Sequence, residues 1–321
     1  MKKIWFFLFG AIAVIQLHAK TVGRVGNPQD TITTSSAGFL LAGGSTDVDE
    51  AMRWFLQKSG GGDIVIIRAS GGAGYNDYLF KLFPVNSVET LLINSREEAM
   101  LPETANTLAH AEAIFIAGGD QWNYVNYWSN TPVQTALNEA IKSRKIPVGG
   151  TSAGLAVLGQ FVFDAKMDGI TSAEALNDLQ SPKISISKNF VEIDLLKNTI
   201  TDSHYSQRTR MARHIAFLAK IQTQYGTKAK GIGIDEKTAL ALEPDGSAKA
   251  FGSAAIYFLQ LNSKKKNVSI NPSAAVYAVA ASKVGTTIES IKACFKKGTE
   301  TYIIQNKELV KHSLIRTPLA D

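Results

Sequence analysis

The chain carries one cysteine, Cys294, in 321 residues, so no intramolecular disulfide can form. A chain of this length does not need one, because it can bury a large core. Cys294 lies in Ile-Lys-Ala-Cys-Phe and reads as a small buried hydrophobe rather than a nucleophile. Histidine is scarce at 5 residues, and no Cys/His cluster has metal-ligand spacing, so neither a metal nor an organic cofactor is expected. No Gly-x-Gly-x-x-Gly leads from a strand into a helix, and no Gly-Lys-Ser/Thr loop occurs. The usual signatures of dinucleotide and NTP binding are therefore missing. Basic residues exceed acidic ones by only 34 to 28, a net charge of +6, and they are scattered apart from Lys264-Lys265-Lys266, which reads as a solvated turn. Without a basic stripe or a recognisable module, nucleic acid is not an expected partner. With 45% hydrophobic and 19% charged residues, the composition is that of a globular protein and excludes disordered, collagen-like and polytopic membrane classes.

Long apolar runs are also missing, and the one extended run is N-terminal. Met1-Lys2-Lys3 precedes Ile4 to Leu17, and His18-Ala19-Lys20 follows. A charged start, an apolar stretch of about 14 residues and a small residue for cleavage read as a secretory signal over residues 1–19. The run falls short of the ~20 residues that a spanning helix needs. Residues 20–321 are then expected to form a single domain, exported to the periplasm or beyond, with no membrane partner once the signal is cleaved.

What the chain does have is an alternation of short apolar strands with helices. Gly38 to Ala42, Asp63 to Ala69, Val88 to Ile93, Ala113 to Ala117 and Lys145 to Gly149 read as strands, and glycines close several of them. Helical patterns start at Asp47 and run from Val133 to Arg144. This predicts an α/β fold: a doubly wound, mostly parallel sheet with helices on both faces. The ligand site of such a sheet lies beyond the carboxyl ends of its strands, where the glycine turns are. From Lys249 onward the pattern is strand-rich (Ala254 to Leu261, Ala274 to Ala280, Thr301 to Gln305) and predicts a C-terminal extension of the same sheet.

Gly150-Thr-Ser152-Ala-Gly154 fits Gly-x-Ser-x-Gly, directly after a strand and before Leu155-Ala-Val-Leu, which can start a helix. A strand-to-helix turn this sharp needs small neighbours, and it lifts the serine hydroxyl to a helix N-terminus. A serine nucleophile needs a base and an orienting carboxylate. Beyond residue 19 the histidines are His110, His204, His214 and His312. His110 and His312 read as structural, and His214 as a surface or packing residue of a helix. His204 sits in the polar segment Thr201-Asp-Ser-His-Tyr205, ahead of Arg208, Arg210 and Arg213. The carboxylates in reach of the argument are Asp168, Asp202, Asp235 and Glu236. Three arginines in six residues would form a solvated helix face, or, beside an active site, a patch for a carboxylate-bearing substrate.

Gly118-Gly-Asp-Gln121, Gly149-Gly-Thr-Ser152-Ala-Gly154, Asp202-x-His204 with its three arginines, and Gly233-Ile-Asp-Glu236 occur in one order. Together they resemble the cyanophycinase branch of the S51 serine peptidases, relatives of the aspartyl dipeptidase peptidase E, from about Gly38 to Glu243. The resemblance implies a class I glutamine-amidotransferase-like fold with serine in place of cysteine, and cleavage at aspartyl residues, including β-linked Asp-Arg. It makes Ser152 the nucleophile, His204 the base and Glu236 the third member, with Asp168 the weaker candidate. It gives the oxyanion hole to the N–H groups of Gly119 and Ala153, and substrate binding to Gln121, Asp202, Arg208, Arg210 and Arg213. The partner it implies is a peptide substrate with aspartyl residues; relatives often form homodimers, and the oligomeric state is left open. The sequence departs from the cyanophycinase pattern at Ser203, where glutamine is usual, which counts against cyanophycin itself and leaves the triad intact. The apolar stretch Trp122 to Trp128 reads as an amphipathic helix packed on the core, or as an insertion that reshapes the pocket.

Three other readings compete. An α/β-hydrolase esterase shares Gly-x-Ser-x-Gly, but there the acid precedes the histidine, and no His-Gly-Gly-Gly loop is present. A glutamine amidotransferase needs cysteine at position 152. A non-catalytic secreted binding protein on the same scaffold would not need Ser152, His204 and Glu236 together.

Overall fold

The computed structural model describes residues 21–262 and 272–312; the signal segment and Lys264 to Lys266 lie outside the described residues. Strands β1 (Thr21–Gly26), β2 (Gly38–Ala42), β3 (Asp63–Arg68), β4 (Ser87–Leu92), β5 (Ala113–Ile116) and β6 (Pro147–Thr151) come first. Interleaved with them are helices α1 (Asp49–Gln57), α2 (Gly74–Leu82), α3 (Arg96–Ala99), α4 (Pro102–Ala109), α5 (Gln121–Trp128) and α6 (Pro132–Glu139). The chain continues through α7 (Ala153–Ala156), β7 (Phe161–Phe163), α8 (Ser172–Asn177), β8 (Ile186–Lys188), β9 (Thr199–Asp202) and α9 (Met211–Tyr225). It ends in β10 (Lys230–Ile234), β11 (Thr238–Leu242), β12 (Ala248–Gly252), β13 (Ala255–Leu261), β14 (Ser273–Ala280), β15 (Thr286–Ile288), α10 (Ile291–Lys296), β16 (Glu300–Gln305) and β17 (Glu308–His312).

The strands form two sheets. The first has the order β1-β4-β3-β5-β6-β2-β11-β12-β15, and its centre, β4-β3-β5-β6-β2, is parallel. These central strands are buried on both sides, which is why they read as continuous apolar runs. Leu40, Ile64, Ile66 and Phe115 pack with Met52 and Phe55 of α1 and Leu79 of α2 on one face. Leu41, Val65, Ile67 and Ile114 pack with Leu108, Tyr124 and Leu137 of α4, α5 and α6 on the other.

The second sheet corrects the expectation of one extended sheet. Among the described residues from Ala248 onward, only β12 and β15 join the first sheet. Strands β13, β14 and β16, predicted to extend it, instead build β17-β16-β14-β13-β10-β9-β7-β8, in which only β10-β9 and β9-β7 are parallel. Ile232 and Ile234 of β10 share a core with Leu240 and Leu242 of β11, so the sheets meet through apolar contact.

Helix α5 takes the packing reading of the Trp122 to Trp128 stretch. Asp120 caps it by accepting the Trp122 N–H at 2.9 Å. Tyr124 and Trp128, one turn apart, are fully buried and stacked with ring centres 4.4 Å apart. Their polar tips are satisfied, Tyr124 donating to the Ala117 carbonyl at 2.8 Å and Trp128 to that of Ile93 at 2.9 Å. Cys294 is buried as expected, on α10. Trp128→Ala should lower the unfolding free energy by ~3–5 kcal/mol in urea titrations, whereas Trp122→Ala, half-exposed at the helix start, should cost less than ~1 kcal/mol. Similar losses would mean that the helix, and not the stacked ring, carries the effect.

Candidate active site

Five strands deliver the site with their carboxyl ends: β2, β5 and β6 from the first sheet, β9 and β10 from the second. The turn after β6 is the tightest. Ser152 stands alone between β6 and α7 with φ 54° and ψ −113°, a backbone that few non-glycine residues adopt. Its N–H is held by the Ala42 carbonyl at 3.1 Å. The helix can start at once only because Gly154 has no side chain; a Cβ there would fall on the Ile116 carbonyl of β5.

His204 follows β9, also at positive φ (46°), and its N–H donates to the Gly43 carbonyl at 2.8 Å. Gly44, at φ 99°, lies so close to the imidazole that any Cβ would enter the ring. His204 Nε2 is 2.7 Å from Ser152 Oγ, and Nδ1 is 2.6 Å from Glu236 Oε1. Among the four carboxylates considered, Glu236 is thus the one beside the histidine. Asp235, its buried neighbour, accepts the Ser206 N–H at 2.7 Å and the Ala255 N–H at 3.2 Å, clipping the histidine loop to the Glu236 turn. Gln207 accepts the Glu236 N–H at 3.0 Å.

The electrostatics keep this imidazole neutral. Burial pushes the His204 pKa down, the Glu236 hydrogen bond pushes it up, and Arg208 and Arg210 push it down again, for a value below the ordinary one. The hydrogen bond from His204 holds the Glu236 carboxyl below the usual range. His214 is fully buried between the Tyr205 hydroxyl, 3.2 Å away, and the Ile200 carbonyl, 3.3 Å away, and burial lowers it to about 4. It is a packing residue. His110 is exposed and bonds the Asn106 carbonyl of α4, and the His312 side chain lies outside the described residues.

The arginines do not share one role. Helix α9 begins only at Met211, so Arg210 is its N-cap residue and Arg208 lies in the preceding turn. Arg213 grips Asp202 with Nε at 2.8 Å and Nη2 at 2.6 Å, while its Nη1 donates to the Ile170 carbonyl at 2.9 Å. Arg210 Nη1 reaches the same Asp202 at 3.1 Å and the Ser203 carbonyl at 2.8 Å. Burial alone would raise the Asp202 pKa, but the two guanidiniums hold it below the usual carboxylate range, and burial lowers Arg210 to about 10. Asp202 and Arg213, expected to bind substrate, therefore have their polar atoms engaged with each other and with the backbone. The Arg208 guanidinium has no hydrogen bond or ion pair among the described residues.

Ser152, His204, Asp202, Ser203 and the three arginines line one cleft of about 270 Å³, and Glu236 stands behind the imidazole outside that lining. Gly119, Gln121 and Ala153 are in its wall with Ser152, and Ala153 opens α7, where a first-turn N–H has no partner within the helix. Gln121 donates weakly to the Phe163 carbonyl at 3.4 Å. Asp168 also lines the cleft, exposed, on the loop after β7 and with no bond to His204. Among the described residues no group of three His, Cys, Asp or Glu side chains is arranged to hold a metal.

Residues 34–249 match the profile of peptidase family S51. The chain belongs to that family. It is 28% identical over 251 residues to a cyanophycinase of Trichormus variabilis, covering 75% of this chain and 78% of that one. A cyanophycinase of Synechococcus elongatus is 29% identical over 231 residues, 68% of this chain and 67% of its own. The crystal structure of a peptidase from an acI-B1 Actinobacterium shares the mixed α/β fold with a TM-score of 0.55 at 18% identity, covering 80% of this chain and 98% of that one. As an S51 peptidase the chain is a serine-type hydrolase acting on peptides.

Within this S51 fold the cleft walls formed by Phe163, Ala165 and Thr201 have no individual signal in the sequence, whereas the Gly43-Gly44 pair that backs the His204 ring does. Titration of His204 by NMR should give a pKa below its ordinary ~6.5. Arg208→Ala should raise it, since a cation that disfavours the imidazolium is gone, and Glu236→Gln should lower it further. Shifts of the opposite sign would mean that another charge governs the ring.

Proposed function

We propose that this S51 chain is an exported serine peptidase of the cyanophycinase type, which cleaves peptide bonds at aspartyl residues through an acyl-enzyme. Export is argued from the leader over residues 1–19, and a class I glutamine-amidotransferase-like architecture from the family resemblance. The reading rests above all on the relay Ser152 Oγ to His204 Nε2 to Glu236, at 2.7 and 2.6 Å, opening onto a cleft with an uncommitted arginine.

In this reading Ser152 Oγ attacks the scissile carbonyl as His204 Nε2 takes its proton. Glu236 holds the Nδ1–H tautomer and stabilises the imidazolium that forms. The oxyanion is received by the N–H groups of Gly119 and Ala153. His204 then hands its proton to the leaving amine, and a water repeats the sequence on the acyl-enzyme. The lowered His204 pKa keeps the base unprotonated at neutral pH. Arg208, with Arg210 and Gln121 beside it, takes the carboxylate of the aspartyl residue. Asp202 and Arg213 hold the wall on which Arg210 sits. The α/β-hydrolase esterase reading shares the Gly-x-Ser-x-Gly turn but not the order of the triad, because the acid beside His204 follows it in sequence.

Ser152→Ala should remove at least ~10³-fold of kcat on aspartyl peptides with the fold intact, and His204→Ala should match it, because the members act as a unit. Glu236→Gln should cost about 10²- to 10³-fold of kcat on every substrate, and His214→Ala should act on stability instead. Residual Ser152→Ala turnover above a hundredth of wild type would rule the serine mechanism out.

Arg208→Ala should lower kcat/KM about ten- to hundredfold on acidic substrates and little on a neutral analogue, the loss of one charge-assisted hydrogen bond. Kinetics on an aspartyl and an asparaginyl peptide decide it. Equal losses would mean that Arg208 only orders the His204 loop.

A further inference from the structure

Asp47 stands where the sequence pattern starts α1, yet the helix begins at Asp49 and Asp47 does not cap it. Its side chain turns back toward β6 instead. Oδ2 accepts the Tyr75 hydroxyl at 2.6 Å, and the Tyr75 ring, at the start of α2, has its centre 5.5 Å from that of Phe115 in β5. Burial raises the Asp47 pKa, and the hydroxyls of Tyr75 and Thr151 both act against that rise. The Thr151 hydroxyl is therefore within reach of the carboxyl. Even so, Asp47 Oδ1 and Thr151 Oγ1 are both buried with no hydrogen-bond partner among the described residues. A buried polar atom without a partner is costly, and folded proteins leave few of them. Two such atoms within reach of one another, each able to satisfy the other, call for a reason.

The reason lies in where Thr151 stands. It ends β6, paired with Ala42, and directly precedes Ser152. The turn after β2 that leads to Asp47 is the one whose backbone meets both members of the relay. There Ala42 accepts the Ser152 N–H at 3.1 Å and Gly43 accepts the His204 N–H at 2.8 Å. On its other side Thr151 borders the turn after β5: a Cβ at Gly118 would come 3.8 Å from the Thr151 carbonyl and 3.9 Å from its methyl. A β-branched residue set between two turns has little rotamer freedom, and here its methyl goes toward Gly118 and its hydroxyl toward Asp47. Backbone bonds thus bring Ser152 to the imidazole. They do not keep the elbow from relaxing once Oγ leaves His204 for a substrate carbon. With Ser152 at φ 54° and ψ −113°, that relaxation is downhill unless the surroundings forbid it.

We propose that Asp47 is a positioning residue for the nucleophile: its Oδ1 and the Thr151 hydroxyl form the side-chain link that holds the elbow in its strained shape through acylation. The proposal rests on the serine mechanism above and on no particular substrate. A carboxylate accepts the threonine proton and a carboxylic acid donates to the threonine oxygen, so the link closes in either state. Asparagine can bridge Tyr75 and Thr151 in the same way, its carbonyl accepting from one and its amide donating to the other. Alanine cannot. Because a misplacement of about 1 Å at a reacting atom can cost about 10²-fold in rate, losing the link should act on turnover and not on substrate binding.

The test measures kcat and KM on an aspartyl p-nitroanilide, and the rate at which a small fluorophosphonate labels Ser152, with thermal melting alongside. Asp47→Ala and Thr151→Val should each slow kcat and labelling by about ten- to hundredfold and leave KM within about threefold. The double variant should be no slower than the worse single one, because both remove the same link. Asp47→Asn and Thr151→Ser should return to within about fivefold of wild type, and Asp49→Ala, on the neighbouring acid of α1, should leave both rates alone. Should Asp47→Ala fail to fold, Thr151→Val, which keeps the side-chain shape, decides the matter. A lower melting temperature with unchanged labelling and kcat, additive losses in the double variant, or Asp47→Asn no better than Asp47→Ala would each overturn the assignment. Labelling that follows the expected pattern in a protein that cleaves no aspartyl substrate would support the link while sinking the substrate reading. Wild type that neither labels at Ser152 nor turns over would sink the serine mechanism, and this proposal with it.

Discussion

The hydrogen bond from the His204 N–H to the Gly43 carbonyl, 2.8 Å long, joins the two sheets at the place where the chemistry is proposed. Ser152 belongs to the first sheet by way of β6, and His204 and Glu236 to the second by way of β9 and β10. The relay is therefore only as good as the seam between them. The bond from the Lys237 N–H to the Gly44 carbonyl ties the crossover to the same turn, while those from the Ser152 N–H to the Ala42 carbonyl and from the Gly43 N–H to that of Thr238 carry the ladders of the first sheet up to the seam. The strand that leaves the second sheet at Ile234 enters the first at Thr238, so the short crossover between the sheets is the segment that carries Glu236. Side chains at Gly43 and Gly44 would push the sheets apart at the imidazole. This is why the backbone, and not a side-chain network, sets the 2.7 Å contact between histidine and serine.

Charge around His204 is balanced rather than simply positive. Three guanidiniums lie within a few residues, and an uncompensated set would oppose the imidazolium that a base must become. Asp202, buried between Arg210 and Arg213, neutralises much of that field and leaves Arg208 as the exposed cation. A buried ion pair is weak evidence of net stability, but removing one partner strands the other and typically costs several kcal/mol. Asp202 and Arg213 are thus better read as the frame of the cleft than as hands for substrate. Because the folded Asp202 pKa is depressed, its contribution is present above the unfolded carboxylate pKa and is lost as pH falls through the lower folded value.

What was legible in the sequence follows from how local each signal is. The parallel centre showed because strands buried on both faces are apolar throughout, as in Ile64 to Ile67. The elbow showed because its turn demands small residues at fixed offsets around Ser152. Strands β13 and β14 were found, but their sheet was not. They alternate buried and half-buried residues, a pattern that any open edge can accept, and their pairing with β10 is a long-range choice. The arginines are only partly legible for a related reason. Spacing on a helix puts Arg210 and Arg213 together, as they are, but what they face is Asp202, which comes from the preceding strand. Arg208 escapes the helical pattern altogether, because Thr209 at φ 47° separates it from α9.

Two adjacent acids divide the work that one residue does poorly. Glu236 is half-buried, with its side chain 26% exposed, and a partly solvated carboxylate on a turn is by itself a loose partner for an imidazole. Asp235 is buried, and both of its oxygens bind backbone N–H groups, one on the histidine loop and one on β13. Gln207, from the histidine loop as well, fixes the Glu236 N–H. The turn is thereby locked to the loop at two points and to β13 at a third before the Glu236 side chain makes any contact. The carboxylate then contributes charge and tautomer control rather than position, so its exposure costs little geometric precision. That separation lets the base be oriented by backbone and tuned by charge at once, and it ties the Asp-Glu order of the turn to the parallel pairing of β9 with β10 that brings the two segments side by side.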